Sequence, residues 1–195
     1  MRQTVANSTS DILVLKKAAA ILGVFSFQDR NLTLSALAQR SGLPKSTTHR
    51  ILQTLQQLDW VVSRQDQTYS LGPGLIELGG IARTSLDWRE VLAPHLNSLS
   101  AQVRHAVLVA TLVDDHLLYV DKRESHYPLR ITSHLGQRRT PHFGAIGKVL
   151  MAYLPESEVQ RLLDKFPLEP LASGTVVDRA VLYERLKSVH AKGYD

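Results

Sequence analysis

The stretch that most constrains this chain is residues 33–71, TLSALAQRSGLPKSTTHRILQTLQQLDWVVSRQDQTYSL. Its spacing predicts two short helices joined by a sharp turn and followed by a hairpin. Thr33 is placed to cap the first helix, behind which Leu34, Leu37 and Ala38 recur at the helical period. Ser41-Gly42-Leu43 breaks that helix, with Gly42 able to take the positive φ of a tight turn. Pro44 suits the first turn of a second helix. There, Thr48, Ile51, Leu52, Leu55 and Leu58 are expected on one face, toward a core.

The opposite face is left for other work. At about 100° per residue, Ser46, Arg50, Gln53 and Gln57 point away from the core, with Lys45, Thr47 and His49 on the flanks near the N-terminal end. Small, polar or forked side chains at the front of such a second helix are what reading base edges in the major groove requires. A solvated face of an all-α domain fits the same pattern. The next residues favour DNA. Trp60-Val61-Val62 and Thr68-Tyr69-Ser70-Leu71 are runs of β-formers separated by the polar residues 63–67. A hairpin directly after a recognition-type helix makes a winged helix, with Arg64 expected at the tip against a backbone phosphate. A hairpin used only as a structural cap is the alternative.

SGLPKSTTHRILQTL, followed by Tyr69-Ser70-Leu71-Gly72-Pro73, resembles the N-terminal domain of the IclR family of bacterial transcriptional regulators, and the resemblance runs through nearly the whole chain. It implies an α+β protein in three parts. These are a winged helix-turn-helix DNA-binding domain at 11–72, a linker helix at 73–88 where two subunits also meet, and a GAF-like α/β effector-binding domain at 89–195. It implies a homodimer or homotetramer on double-stranded operator DNA, acting as repressor or activator under control of a small-molecule effector. With the helix geometry, the expected DNA-binding residues are Lys45, Ser46, Thr47, His49, Arg50, Gln53 and Arg64. Family members run several tens of residues further, into closing strands of the effector sheet and a cysteine-containing segment. The effector-binding domain is therefore expected to be incomplete, truncated at the C-terminus.

Charge agrees with this division. Of a formal net charge of +5, residues 1–72 carry eight Lys/Arg against four Asp/Glu, so the excess lies where phosphate attraction would want it. The absence of cysteine excludes a disulfide framework and a thiolate metal site. The apolar run from Ile12 to Phe25 is broken by Lys16 and Lys17, is too short to span a bilayer, and is followed by no small-residue cleavage site. A soluble, cytoplasmic protein with no membrane partner is expected.

Around the central stretch, Asp11 is expected to cap a helix with an apolar stripe of Ile12, Leu15, Ala19, Leu22 and Phe25. Gly72-Pro73-Gly74 marks a boundary before a helix of Leu75, Leu78, Ala82 and Leu86, with Gly79-Gly80 in its middle. Residues 88–103 read as an amphipathic helix carrying Val91, Leu92, Leu96 and Leu99. Residues 106–113 and 117–120 read as a hairpin turning at Asp114-Asp115, with a third strand expected at 129–133. Residues 144–153, 157–166 and 178–191 read as helices.

Downstream, HFGAIGKVLMAYLP (142–155) resembles the family segment in which a Gly-Ala pair opens a helix beside the effector pocket. That implies Gly144 and Ala145 as effector contacts. Small residues at a helix start expose backbone N–H groups that favour anions, although close helix–sheet packing would use the same residues. Arg130, Arg138 and Arg139 precede them, and Arg130 is the preferred guanidinium fork for a carboxylic or aromatic acid effector; a solvated basic loop is the alternative. Gly147-Lys148 is not a phosphate loop, because His142 stands at the leading glycine position and Val149 replaces Ser/Thr. His126, His134 and His142 lack a zinc spacing, so neither metal nor cofactor is expected. Asp121, Ser125 and His126 make no catalytic constellation, and no enzyme activity is expected. The competing reading of the chain is a ligand-sensing or interaction module whose winged helix contacts protein.

Overall fold

Ile21, Leu32, Leu37, Ile51, Leu52, Leu55 and Val61 form one buried cluster around which the N-terminal part of the chain folds. The computed structural model describes residues 12–85, 88–103, 105–124, 133–169 and 178–195, which fall into two units, Met1–Leu86 and Asp87–Asp195. Among the described residues helices are mixed with two three-stranded sheets, an α+β architecture.

In the first unit α1 (Leu13–Leu22) precedes a short strand, β1 (Leu32–Thr33). Next comes α2 (Leu34–Ser41), whose N-cap Thr33 accepts from the Ala36 N–H and whose C-cap Gly42 takes φ +69°. The following helix, α3 (Lys45–Gln57), buries Thr48, Ile51, Leu52 and Leu55. Pro44 is its N-cap and lies just outside the first turn; the Pro44 carbonyl accepts from the Thr48 N–H and hydroxyl. Leu58 does not join the core. The helix stops at Gln57, so Leu58 leaves the helical period and is 51% exposed. The wing is β2 (Val61–Ser63) paired with β3 (Thr68–Leu71), and β1 adds to the other edge of β3, giving the order β1-β3-β2.

The apolar stripe expected on α1 is largely wrong. Ile12 and Leu15 are exposed and so is Ala19, whereas Ile21 is buried with Ala18, Leu22 and Phe25 packed beside it. Ile12-Leu13-Val14-Leu15 is apolar all round, so periodicity there has no polar face against which to fix the phase. The capping residue expected there, Asp11, lies outside the described residues. After the wing, Gly72 and Gly74 press their backbones onto Leu58–Trp60. A Cβ at Gly72 would stand 2.2 Å from the Asp59 carbonyl oxygen, and the Gly72 N–H donates to Trp60 O. The next helix, α4 (Gly74–Thr84), has no buried residue; Leu78 and Ala82 are exposed, and Leu86 lies outside the described residues.

The second unit begins with α5 (Trp88–Val103). Its inner face is Leu92, Ala93, Leu96 and the buried Ser100, while Val91 and Leu99, expected inside, are exposed. Small residues at 93 and 100 shift the packed stripe by one position. A hairpin follows, β4 (Val107–Val113) and β5 (His116–Arg123), closed by Asp114-Asp115 with both φ positive, the two-residue turn that matches strand twist. The third strand is β6 (Arg138–Arg139), pairing with Leu117 and Leu118. Of the strand expected at 129–133, only Ser133 is described, and it is not in a strand. Helices α6 (Gly144–Ala152), α7 (Glu156–Lys165) and α8 (Arg179–Lys192, capped by Asp178) pack through Met151, Val159, Leu163, Leu182 and Leu186.

Candidate nucleic-acid interface

With Thr48, Ile51, Leu52 and Leu55 turned inward, α3 presents Lys45, Ser46, His49, Arg50, Gln53 and Gln57 exposed, with Thr47 half-buried. The inner row, not the outer residues, sets this face, because Thr48 and Leu52 are fully buried and lock the helix rotation. The helix contains no acidic residue. The Lys45 and Arg50 side chains make no hydrogen bond or ion pair among the described residues. Two other cations of this unit are engaged: Arg40 pairs with Asp29 at 2.6 Å, and Arg30 Nε donates to the Phe27 carbonyl. No side chain caps the N-terminus of α3. Its first N–H groups therefore add positive potential beside Lys45. Arg50, Gln53, Thr54, Gln56 and Gln57 line a shallow open depression along the same side.

The wing differs from its expected form. Arg64 is exposed and sits at the base of the turn, not its tip. Its Nε donates to the buried Ser70 Oγ at 3.2 Å, which lays the side chain along the sheet. The turn is closed by Gln67 N–H donating to Arg64 O and Arg64 N–H donating to Thr68 O, with Gln67 at φ +60°. Its tip is Gln65-Asp66-Gln67, all exposed. The Thr68 hydroxyl and N–H both donate to Asp66 Oδ1, at 2.6 and 3.2 Å. These bonds hold the carboxyl below the usual carboxylate range, helped by the charge of Arg64.

In the second unit Gly144 opens α6 at φ +63°, and Gly144 and Ala145 are both exposed. Arg130 lies outside the described residues. Arg138 faces Asp114 at 3.5 Å, and the Arg139 guanidinium stands 4.8 Å from the Phe143 ring centroid. Two nitrogens in this short segment, Arg139 Nε and His142 Nε2, are buried without a hydrogen-bond partner. Burial lowers the His142 pKa, against a hydrogen bond to the Phe166 carbonyl and the charge of Glu169. Gly147, considered from sequence only as part of a phosphate loop, has a packing role: a Cβ there would stand 2.3 Å from Pro141 O. Of the residues considered for catalysis, Asp121 is buried against Arg89 and Arg123, at 3.3 and 2.9 Å, and Ser125 and His126 lie outside the described residues. No group of three or more His, Asp or Glu among the described residues is arranged to hold a metal ion, and no described helix is long and apolar enough to cross a membrane.

Two family models match in tandem. The IclR helix-turn-helix domain covers residues 14–65, and the bacterial transcriptional regulator IclR C-terminal domain covers 81–195. The chain is 31% identical over 189 residues to the HTH-type transcriptional regulator KdgR of Dickeya chrysanthemi, covering 96% of this chain and 61% of that one. Among solved structures it is similar to an IclR-type transcriptional regulator from Alicyclobacillus acidocaldarius, with a TM-score of 0.82 and 31% identity over 94% of this chain and 75% of that one. It is also similar to an IclR homologue from Microbacterium hydrocarbonoxydans complexed with 4-hydroxybenzoate, with a TM-score of 0.79 and 25% identity over 93% and 75%. The chain thus spans about three fifths of that curated relative and three quarters of those solved chains.

Proposed function

The chain belongs to the IclR family of bacterial transcriptional regulators, and we propose that it binds operator DNA through α3, under control of a small carboxylic or aromatic acid. The observation that carries this is the acid-free, exposed face of α3 with its two unengaged cations, Lys45 and Arg50. Arg50, Ser46, Thr47, His49 and Gln53 reach base edges. Lys45 holds a phosphate at the helix N-terminus, and Arg64, anchored through Nε, offers its outer nitrogens to a second. In functional terms the winged helix occupies 11–72, the linker helix 73–88 and the effector-binding domain 89–195.

For the effector, the relative bound to 4-hydroxybenzoate supports an aromatic acid. Gly144 and Ala145 contribute N–H groups at the start of α6, and Arg130 the guanidinium. The orphaned Arg139 Nε and His142 Nε2 add two polar nitrogens next to that helix start; from sequence, Arg139 stands behind Arg130 and His142 is weighed only as a metal ligand. A homodimer or homotetramer is the working form. Ile76, Leu78 and Ile81 of α4 are exposed, and Gly79 and Gly80 have open space where a Cβ would stand, room for a helix of a second copy. Such a regulator acts in the cytoplasm, and its relatives are regulators, not enzymes.

The test is titration of labelled DNA from upstream of the gene at several salt concentrations, with and without candidate aromatic acids. Sequence-selective retention that an acid modulates supports the proposal. Salt-sensitive retention without selectivity, or none, supports the interaction-module reading in its place.

A further inference from the structure

The tip of the wing carries an anion, Asp66, and the Arg64 side chain is bonded through Nε to Ser70. Gln65 and Gln67 flank Asp66, and Arg64, the nearest guanidinium in sequence, is drawn back onto Ser70. Thr68 fixes the Asp66 carboxylate by two hydrogen bonds, so it is not a loose charge that could fold away from an approaching surface. Such a tip is badly suited to lie on phosphate. On the proposed docking of α3 in the major groove, the hairpin that follows it would reach toward the neighbouring minor groove. A·T tracts narrow that groove and deepen its negative potential, which is why cationic side chains seek it. A fixed carboxylate does the reverse. In a wider groove holding G·C pairs, the guanine N2 amino group offers a donor that a carboxylate can accept from.

We infer that Asp66 is a specificity-determining residue of the wing: it disfavours operators flanked by narrow A·T-rich minor grooves and admits flanks with G·C pairs. This rests on the proposed reading of DNA by α3 and adds a role for the wing that the phosphate contact of Arg64 does not supply. The phosphate is held at the base of the hairpin, and discrimination comes from its tip.

The experiment uses the whole chain and a randomised duplex library, from which the wild-type protein selects its core site. Duplexes with that core and either A-tract or G·C flanks are then titrated against wild type, Asp66→Asn and Asp66→Glu. Asparagine keeps an oxygen to accept from Thr68 and loses only the charge; glutamate keeps the charge. Wild type and D66E should prefer the G·C-flanked duplex, and D66N should shift the affinity ratio toward A-tracts by about twofold to fivefold, the size of one unit-charge interaction in water. An unchanged ratio in D66N, with the core still bound, overturns the inference and leaves the reading by α3 standing. Failure of the wild type to enrich any core overturns that underlying reading.

Discussion

At the scale of single residues, the positions that decide function are those whose neighbours leave them no other employment. The Arg50 side chain has no partner among the described residues, so Arg50→Ala should weaken operator binding by ~1–3 kcal/mol and relax the preference at one base pair, as competition with single-base operator variants would measure. Lys45→Ala should weaken all duplexes alike and reduce the salt slope by about 1. The exposure of both residues was legible in the sequence, because the inner row at 48, 51, 52 and 55 fixes the outer row by geometry alone. Gly72 and Gly147 were not. Their need to be glycine comes from the Asp59 and Pro141 carbonyls, which approach from elsewhere in the fold. Gly72→Ala should cost ~1–3 kcal/mol by overpacking against backbone, read as a lower urea midpoint at unchanged slope. His142 gives a pH dependence of definite sign. Its folded pKa is lowered by burial, so its contribution is full above the ordinary value of 6.5 and falls as the pH drops below that value toward the folded pKa. Denaturation at pH values of about 7.5 and about 5.5 should show that loss, and His142→Asn should flatten it.

At the scale of elements, helix positions followed from periodicity, while helix faces followed only where polar residues marked the other side. The bounds of α5 are those expected, yet its buried row includes Ser100 and leaves out Val91 and Leu99. The apolar side chains at the start of α1 and along α4 are not buried in their own unit. A rule that places apolar side chains in the core has no way to assign a face that the chain itself leaves uncovered. The short strands β1 and β6 carry almost no pattern of their own, since two residues cannot display a period of two. On the proposal that a second copy covers α4, Ile76→Lys with Ile81→Lys should shift the sedimenting species from dimer toward monomer while leaving the helical circular dichroism unchanged. A dimer that persists in that variant would move the interface elsewhere.

At the scale of the whole molecule, two units divide the work: one presents α3 and the wing, and the other presents the start of α6 and its buried nitrogens. The first was largely written in 39 consecutive residues, where turn glycine, cap and amphipathic helix point to one answer. The second was written in part, because the buried, unpartnered Arg139 Nε and His142 Nε2 beside the start of α6 take their interest from burial, which spacing does not report. The central claim is that the outward face of α3 reads DNA sequence. The most direct measurement is fluorescence anisotropy of the wild-type protein and Arg50→Ala on a selected core duplex and on a scrambled duplex of the same composition. The account predicts that the wild type prefers the core and that Arg50→Ala loses roughly 5- to 150-fold on the core with far less change on the scrambled DNA. Equal binding of both duplexes by the wild type, or an equal loss on both in the variant, would contradict it.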